Sequence, residues 1–119
     1  MSETGIEIRF AVATDADTLV TFNRLMAEET EGKCLDLRVL RAGVAAVLPG
    51  GMDRPGRYLV AARRGRLVGA LMYTWEWSDW RNGVVWWLQS VYVEPVHRRR
   101  GVFRTMYEHL RGLARADET

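Results

Sequence analysis

Arg98, Arg99, Arg100 and Arg104, with Gly101 among them, are the residues of this chain best suited to chemistry with an anion. Guanidinium groups take phosphate through paired, charge-assisted hydrogen bonds. A glycine lets backbone approach a ligand where a Cβ would intrude. The second chemical group is acidic. Glu76 and Asp79 stand in Glu76-Trp77-Ser78-Asp79-Trp80-Arg81-Asn82-Gly83 and are the best general-base candidates in the chain. A plainer role for Asp79 is an Asx-type turn paired with Arg81.

The elements around the arginines give them a position. Trp86 to Val93 is apolar and rich in β-branched and aromatic residues, which predicts a buried strand stopped by Pro95. Beyond Gly101, apolar residues recur at helical spacing: Phe103, Met106, Leu110 and Leu113. The basic cluster therefore opens a helix, where the first N–H groups lack partners and the dipole is positive. Such a helix start takes phosphate readily.

The rest of the chain reads as a frame for that turn. Ile6, Ile8 and Phe10 alternate as a first strand. Thr14 or Asp15 caps a helix with Leu19, Phe22, Leu25 and Met26 on one face, ending near Gly32. Glu28, Glu29 and Glu31 crowd its end, as a solvated terminus or as an attraction for an amine. Asp36 caps a second helix through Val39, Leu40, Val44, Val47 and Leu48, which Pro49-Gly50-Gly51 breaks. Tyr58–Ala62 and Leu67–Trp75 form a hairpin around Arg64-Gly65-Arg66, and Gly69 signals a bulge or a close approach. Asn82-Gly83 marks the next hairpin turn.

At 119 residues the chain suits one domain spanning 1–119. A 48% hydrophobic content with five Trp fits a globular protein and excludes a disordered one. No apolar run is long enough to span a bilayer and no signal pattern opens the chain, so the expectation is no membrane partner and a cytoplasmic location. Cys34 is the one cysteine and forms no internal disulfide. No metal site is read from the sequence. Net charge is only +2, so the basic character is local. Six arginines from Arg98 to Arg115 invite a nucleic-acid reading, but a single strand-to-helix turn with one glycine suits a bound pyrophosphate better.

Val91-Tyr92-Val93-Glu94-Pro95, followed by Arg98-Arg99-Arg100-Gly101-Val102-Phe103, resembles the acyl-CoA signature of the GNAT family of N-acetyltransferases. That signature runs Gln or Arg, two residues, Gly, one residue, then Gly or Ala. Arg98 and Gly101 match it, and Phe103 departs from the small last residue. Glu76–Arg81 and the Trp86-Trp87 strand resemble one branch of the family. The resemblance covers nearly the whole chain. It implies an α/β (α+β) fold with a mixed, mostly antiparallel sheet flanked by helices. It also implies that the family's C-terminal strand-helix-hairpin part is lacking, which would leave the Trp86–Val93 strand as an exposed sheet edge prone to homo-oligomerisation.

By the same resemblance, the reaction is direct acetyl transfer from the cosubstrate acetyl-CoA to a primary amine of a small molecule or peptide. Main-chain groups of Val91, Tyr92 and Val93 pair with the pantetheine arm and acetyl carbonyl. The turn Arg98, Arg99, Arg100, Gly101, Val102, Phe103 and Arg104 holds the pyrophosphate. Proton removal falls to Glu76 or Asp79, or to a water held by Gln89 and Ser90. His97 is read as a loop surface residue and His109 as a polar helix position. Trp75, Trp77 and Trp80 are pocket candidates, and Trp86 or Trp87 a core residue. The competing readings are an inactive, truncated CoA-binding relative and a small Arg-rich nucleic-acid binder.

Overall fold

The computed structural model describes residues 5–48 and 54–117. Pro49, Gly50 and Gly51, the expected helix breaker, lie outside them. Four strands form one sheet in the order β1 (Glu7–Phe10), β2 (Arg57–Arg63), β3 (Arg66–Ser78), β4 (Gly83–Val93), and every neighbouring pair is antiparallel. Helices α1 (Ala16–Glu31) and α2 (Leu37–Ala46) cover one face, and α3 (Val102–Asp117) covers the other.

The two-residue period of β2 explains the layering. Val60 and Ala62 face α1 and α2, joining Leu19, Phe22 and Val44. Leu59 and Ala61 face α3, joining Val68, Leu71, Met106 and Leu110. A strand covered on both faces needs apolar residues throughout, which is why Tyr58–Ala62 shows no alternation.

Local chemistry sets the helix ends. The Asp36 carboxylate accepts from the N–H of Arg38 at 2.9 Å and of Val39 at 3.4 Å, capping α2 as expected. Asp15 precedes α1 without capping it. Its carboxylate instead accepts from both Arg9 nitrogens, at 2.8 and 3.1 Å, and from the N–H of Val12 at 2.8 Å. Gly32 closes α1 in the left-handed region, its N–H returning to the carbonyls of Ala27 and Glu28.

Four expectations change. On α3 the core stripe is Val102, Met106 and Leu110, with Leu113 alongside; Phe103 is 43% exposed and stacks on Tyr107. Four-residue spacing from Val102 keeps one face, and Phe103 is turned about 100° from it. On α2, Val39 is exposed. The stretch Glu76–Gly83 is mostly strand rather than loop, because β3 continues to Ser78 and only Asp79–Asn82 turns. The outer halves of β3 and β4 thus extend as an arm beyond the helices. Leu88, expected in a buried strand, is exposed there, as is Trp87. Trp86 takes the core position, stacked on Tyr73 at 5.0 Å, with Trp75 edge-on to the same ring at 5.9 Å.

Candidate functional site

A cavity of about 380 Å³ opens where the end of β4, the turn after it, the start of α3 and the last turns of α1 meet. Val91, Tyr92, Val93, Arg98, Arg99 and Gly101 line it, as do Val102, Phe103 and Arg104. Of the ten residues expected to hold a cofactor, only Arg100 is outside the lining. From α1 come Met26, Glu29 and Thr30.

Gly69 explains how α3 comes so close to the strand. A Cβ there would meet the Tyr92 carbonyl at 3.1 Å, Val102 Cγ1 at 3.1 Å and Met106 Cε at 3.3 Å. The same strand carries a bulge, since Ala61 pairs with Gly69 but Ala62 with Leu67. The turn itself needs two left-handed residues, Arg99 at φ 63° and Gly101 at φ 83°. Glycine accepts that conformation freely, whereas Arg99 bears a steric cost. From Gly101 the helix starts directly: the Thr105 N–H and hydroxyl both donate to the Gly101 carbonyl, at 2.9 and 2.8 Å. Among the described residues no side chain accepts from the N–H groups of Val102, Phe103 or Arg104. Nor, among these residues, does a carboxylate pair with Arg99, Arg100 or Arg104. Free donors, the positive helix end and unbalanced guanidiniums together form an anion site.

The register of β4 decides which backbone groups face the cavity. The Glu94 N–H donates to the Val68 carbonyl at 2.9 Å, and the ladder continues Gly69–Val93, Ala70–Tyr92, Leu71–Val91. In an antiparallel pair, hydrogen-bonded and non-hydrogen-bonded positions alternate. Tyr92 therefore spends its N–H and C=O on Ala70, while Val91 and Val93 turn theirs to the free edge. The expectation of main-chain pairing from all three residues narrows to Val91 and Val93. The Val93 carbonyl is itself occupied, accepting from Arg98 Nε at 2.8 Å. A second bulge lies at Gln89–Ser90, where Met72 pairs with Ser90 but Tyr73 with Leu88. It bends the edge just before Val91.

Arg98 is also tied to α1, its two terminal nitrogens holding the Glu29 carboxylate at 2.9 and 3.0 Å. Hydrogen bonding to Arg98 holds the Glu29 carboxyl below its ordinary value and raises Arg98 in turn. Glu29 is thus neither a bare amine attractor nor a plain solvated end. Burial pushes the Tyr92 phenol up, reinforced by the Glu29 charge. His97, expected on the surface, lines the cavity with its side chain only 15% exposed. Its Nδ1 lies 3.4 Å from Glu94 Oε1, and Arg66 holds Oε2 of that carboxylate at 2.8 Å. The signal for it was the three-residue Glu94–His97 spacing across a tight turn, where the His97 N–H returns to the Glu94 carbonyl at 2.8 Å.

The two expected bases stand elsewhere. Glu76 is exposed on the arm and accepts from Trp87 Nε1 at 3.2 Å. It lies five residues along β3 from Leu71, the partner of Val91, which is roughly 17 Å at strand rise. Asp79 is in the arm's turn and makes no pair with Arg81, whose N–H donates instead to Ser78 Oγ at 3.3 Å. Neither carboxylate lines the cavity. Trp77 and Trp80 share the arm; Trp80 is 96% exposed and lines no pocket with Arg98.

The sequence profile of the acetyltransferase (GNAT) family matches residues 22–119. The chain belongs to that family. A solved structure described as a possible acetyltransferase from Clostridium difficile 630 is 46% identical to this GNAT chain, covers 91% of it and 70% of its own length, and superposes with a TM-score of 0.82. A ribosomal-protein-alanine N-acetyltransferase from Brucella melitensis biovar Abortus 2308 shares the fold at 18% identity, 93% and 72% coverage and a TM-score of 0.74. An aminoglycoside acetyltransferase from an uncultured soil metagenomic sample does so at 14% identity, 97% and 73% coverage and a TM-score of 0.71. None of the curated proteins compared with the chain matches it. Acetyl transfer is the activity the family supports. Among the described residues no helix is long and apolar enough to cross a membrane.

Proposed function

We propose that this GNAT chain transfers an acetyl group from acetyl-CoA to a primary amine. The observation that carries this is the coincidence of the family signature with the cavity at the start of α3, where free N–H donors and unpaired arginines converge. The pyrophosphate sits on the N–H groups of Val102–Arg104, with Arg99 and Arg104 balancing its charge. Arg100 contributes long-range attraction from outside the lining. The pantetheine arm runs along the free edge of β4, offered both main-chain groups of Val91 and the N–H of Val93. An N–H aimed at the thioester oxygen stabilises the charge that develops there, and a fixed cofactor saves the entropy of bringing the reactants together.

The amine attacks the thioester carbonyl as the free base, and the C–S bond breaks to release the CoA thiolate. The proton the amine sheds therefore has to be carried to that sulfur. We assign that to a water held at the Gln89–Ser90 bulge, next to Val91, in preference to Glu76 or Asp79. Gln89 already points its amide to Thr74 Oγ1 at 3.1 Å, leaving its carbonyl oxygen to accept from such a water. The neighbouring acetyltransferases that act on an aminoglycoside or a ribosomal-protein alanine illustrate how varied the acceptor can be. A panel of small primary amines tests the reading, with free thiol release from acetyl-CoA as the signal. Amine-dependent thiol release with an N-acetylated product supports it; thiol release without amine dependence, or an O-acetylated product, contradicts it.

The nucleic-acid alternative loses ground because Arg98 and Arg111 are paired with Glu29 and Glu108. Steep salt dependence on DNA would restore it. The outer edge of β4 pairs with no strand among the described residues, and its eleven residues Gly83–Val93 carry no charge at pH 7. The pantetheine arm leaves the outer half of that edge, Gly83–Leu88, clear, and two such halves meet without like-charge repulsion, so we assign a homodimer through them. Sedimentation should show a dimer that Val85→Lys converts to monomer; a monodisperse wild-type monomer contradicts this.

A further inference from the structure

The side chain of Arg98 is committed in three directions. It holds both oxygens of Glu29 at 2.9 and 3.0 Å, donates to the Val93 carbonyl at 2.8 Å, and its guanidinium lies 5.4 Å from the Tyr92 ring centre. Yet the pair is open to water, with Arg98 42% and Glu29 39% exposed. Ion pairs open to water in this way hold only weakly. A phosphate group presents a guanidinium with the same two-oxygen geometry at higher charge. Arg98 shares its cavity with the unpaired Arg99 and Arg104 and with the first N–H groups of α3. Glu29 is the one carboxylate in that lining, and with Arg98 withdrawn it opposes any anion there.

We infer that Glu29 and Arg98 form an exchangeable clasp: a phosphate of the incoming acyl donor draws Arg98 from Glu29. The exchange leaves a bare carboxylate on the cavity wall. It rests on the reading of this cavity as an acyl-CoA site. The lowered carboxyl of Glu29 agrees with its present partner, and exchange returns it toward its ordinary value.

The test is calorimetric titration with CoA of the wild type, Glu29→Gln and Glu28→Gln. Glu28 adjoins Glu29 but pairs with Arg24 at 3.4 Å, so its variant controls for general loss of negative charge. Removing the competitor for Arg98 tightens CoA about three- to tenfold, while Glu28→Gln stays within about twofold. Carboxyl NMR gives a second readout, the titration midpoint of Glu29 rising when CoA is bound. If the wild type binds CoA and Glu29→Gln leaves affinity unchanged or weaker, the pair is a static tie and the exchange is wrong. If the wild type binds no CoA, both the exchange and the cofactor reading of the cavity fall.

Discussion

The two ends of β4 behave as different materials. At its C-terminal end, Val91–Val93 lies over α3, with Tyr92 buried and packed on Phe22 at 4.9 Å. At its N-terminal end the arm leaves the helices, and Trp77, Val84 and Trp87 meet solvent. The chain holds its candidate anion site on the packed end. A site must fix donors against a ligand, and packing from both faces fixes them. The exposed end offers chemistry-bearing residues, Glu76 and Asp79, without the second layer that would hold them near a reacting atom.

Core truncation separates the two ends most sharply. Met106→Ala, beneath Gly69 and fully buried, should cost about 2–5 kcal/mol of stability. Trp80→Ala at the arm tip should stay within about 0.5 kcal/mol. Denaturant unfolding of both variants measures the contrast, and equal losses would erase it.

Next in size is the support beneath α1. Asp15→Asn removes a buried partner of Arg9 and should cost about 1–3 kcal/mol near neutral pH. The hydrogen bond from Arg9 holds the Asp15 carboxyl below its ordinary value. Its contribution is therefore complete above about pH 4, the unfolded value, and lost as pH falls through the lowered one. Thermal melts should show the gap between wild type and variant closing below about pH 4. A gap unchanged down to pH 2 would contradict the assignment.

Glu76→Gln is the smallest expected effect. With the base at the Gln89–Ser90 bulge, kcat should fall by less than about threefold with an unchanged pH profile. A loss of about a hundredfold or more would return Glu76 to the role its sequence position suggested.

Much of this arrangement is legible in the sequence. Gly101 marks the strand-to-helix turn because its positive φ admits few residues. Asp36 announced its helix because a short carboxylate caps only from that place. Two things were hidden. Hydrophobicity alone cannot say where the covering helix stops, so Trp86 and Trp87 read alike although one is core and the other exposed. Pairs made across the fold were hidden too. Glu29 and Arg98 are 69 residues apart, and no local spacing reveals that they pair. His97 is hidden for a similar reason: a turn residue reads as solvent-exposed until the cavity it lines is seen.

The central claim is that the turn at the start of α3 holds the phosphates of an acyl-CoA. It is tested most directly by titrating acetyl-CoA into the wild type and into Gly101→Trp. Saturable one-to-one binding is expected, weakened at least about a hundredfold in the variant, since the left-handed backbone and the ligand's approach both exclude an indole. Wild-type chain that stays unsaturated at millimolar acetyl-CoA, or a Gly101→Trp variant that binds as well, would contradict it.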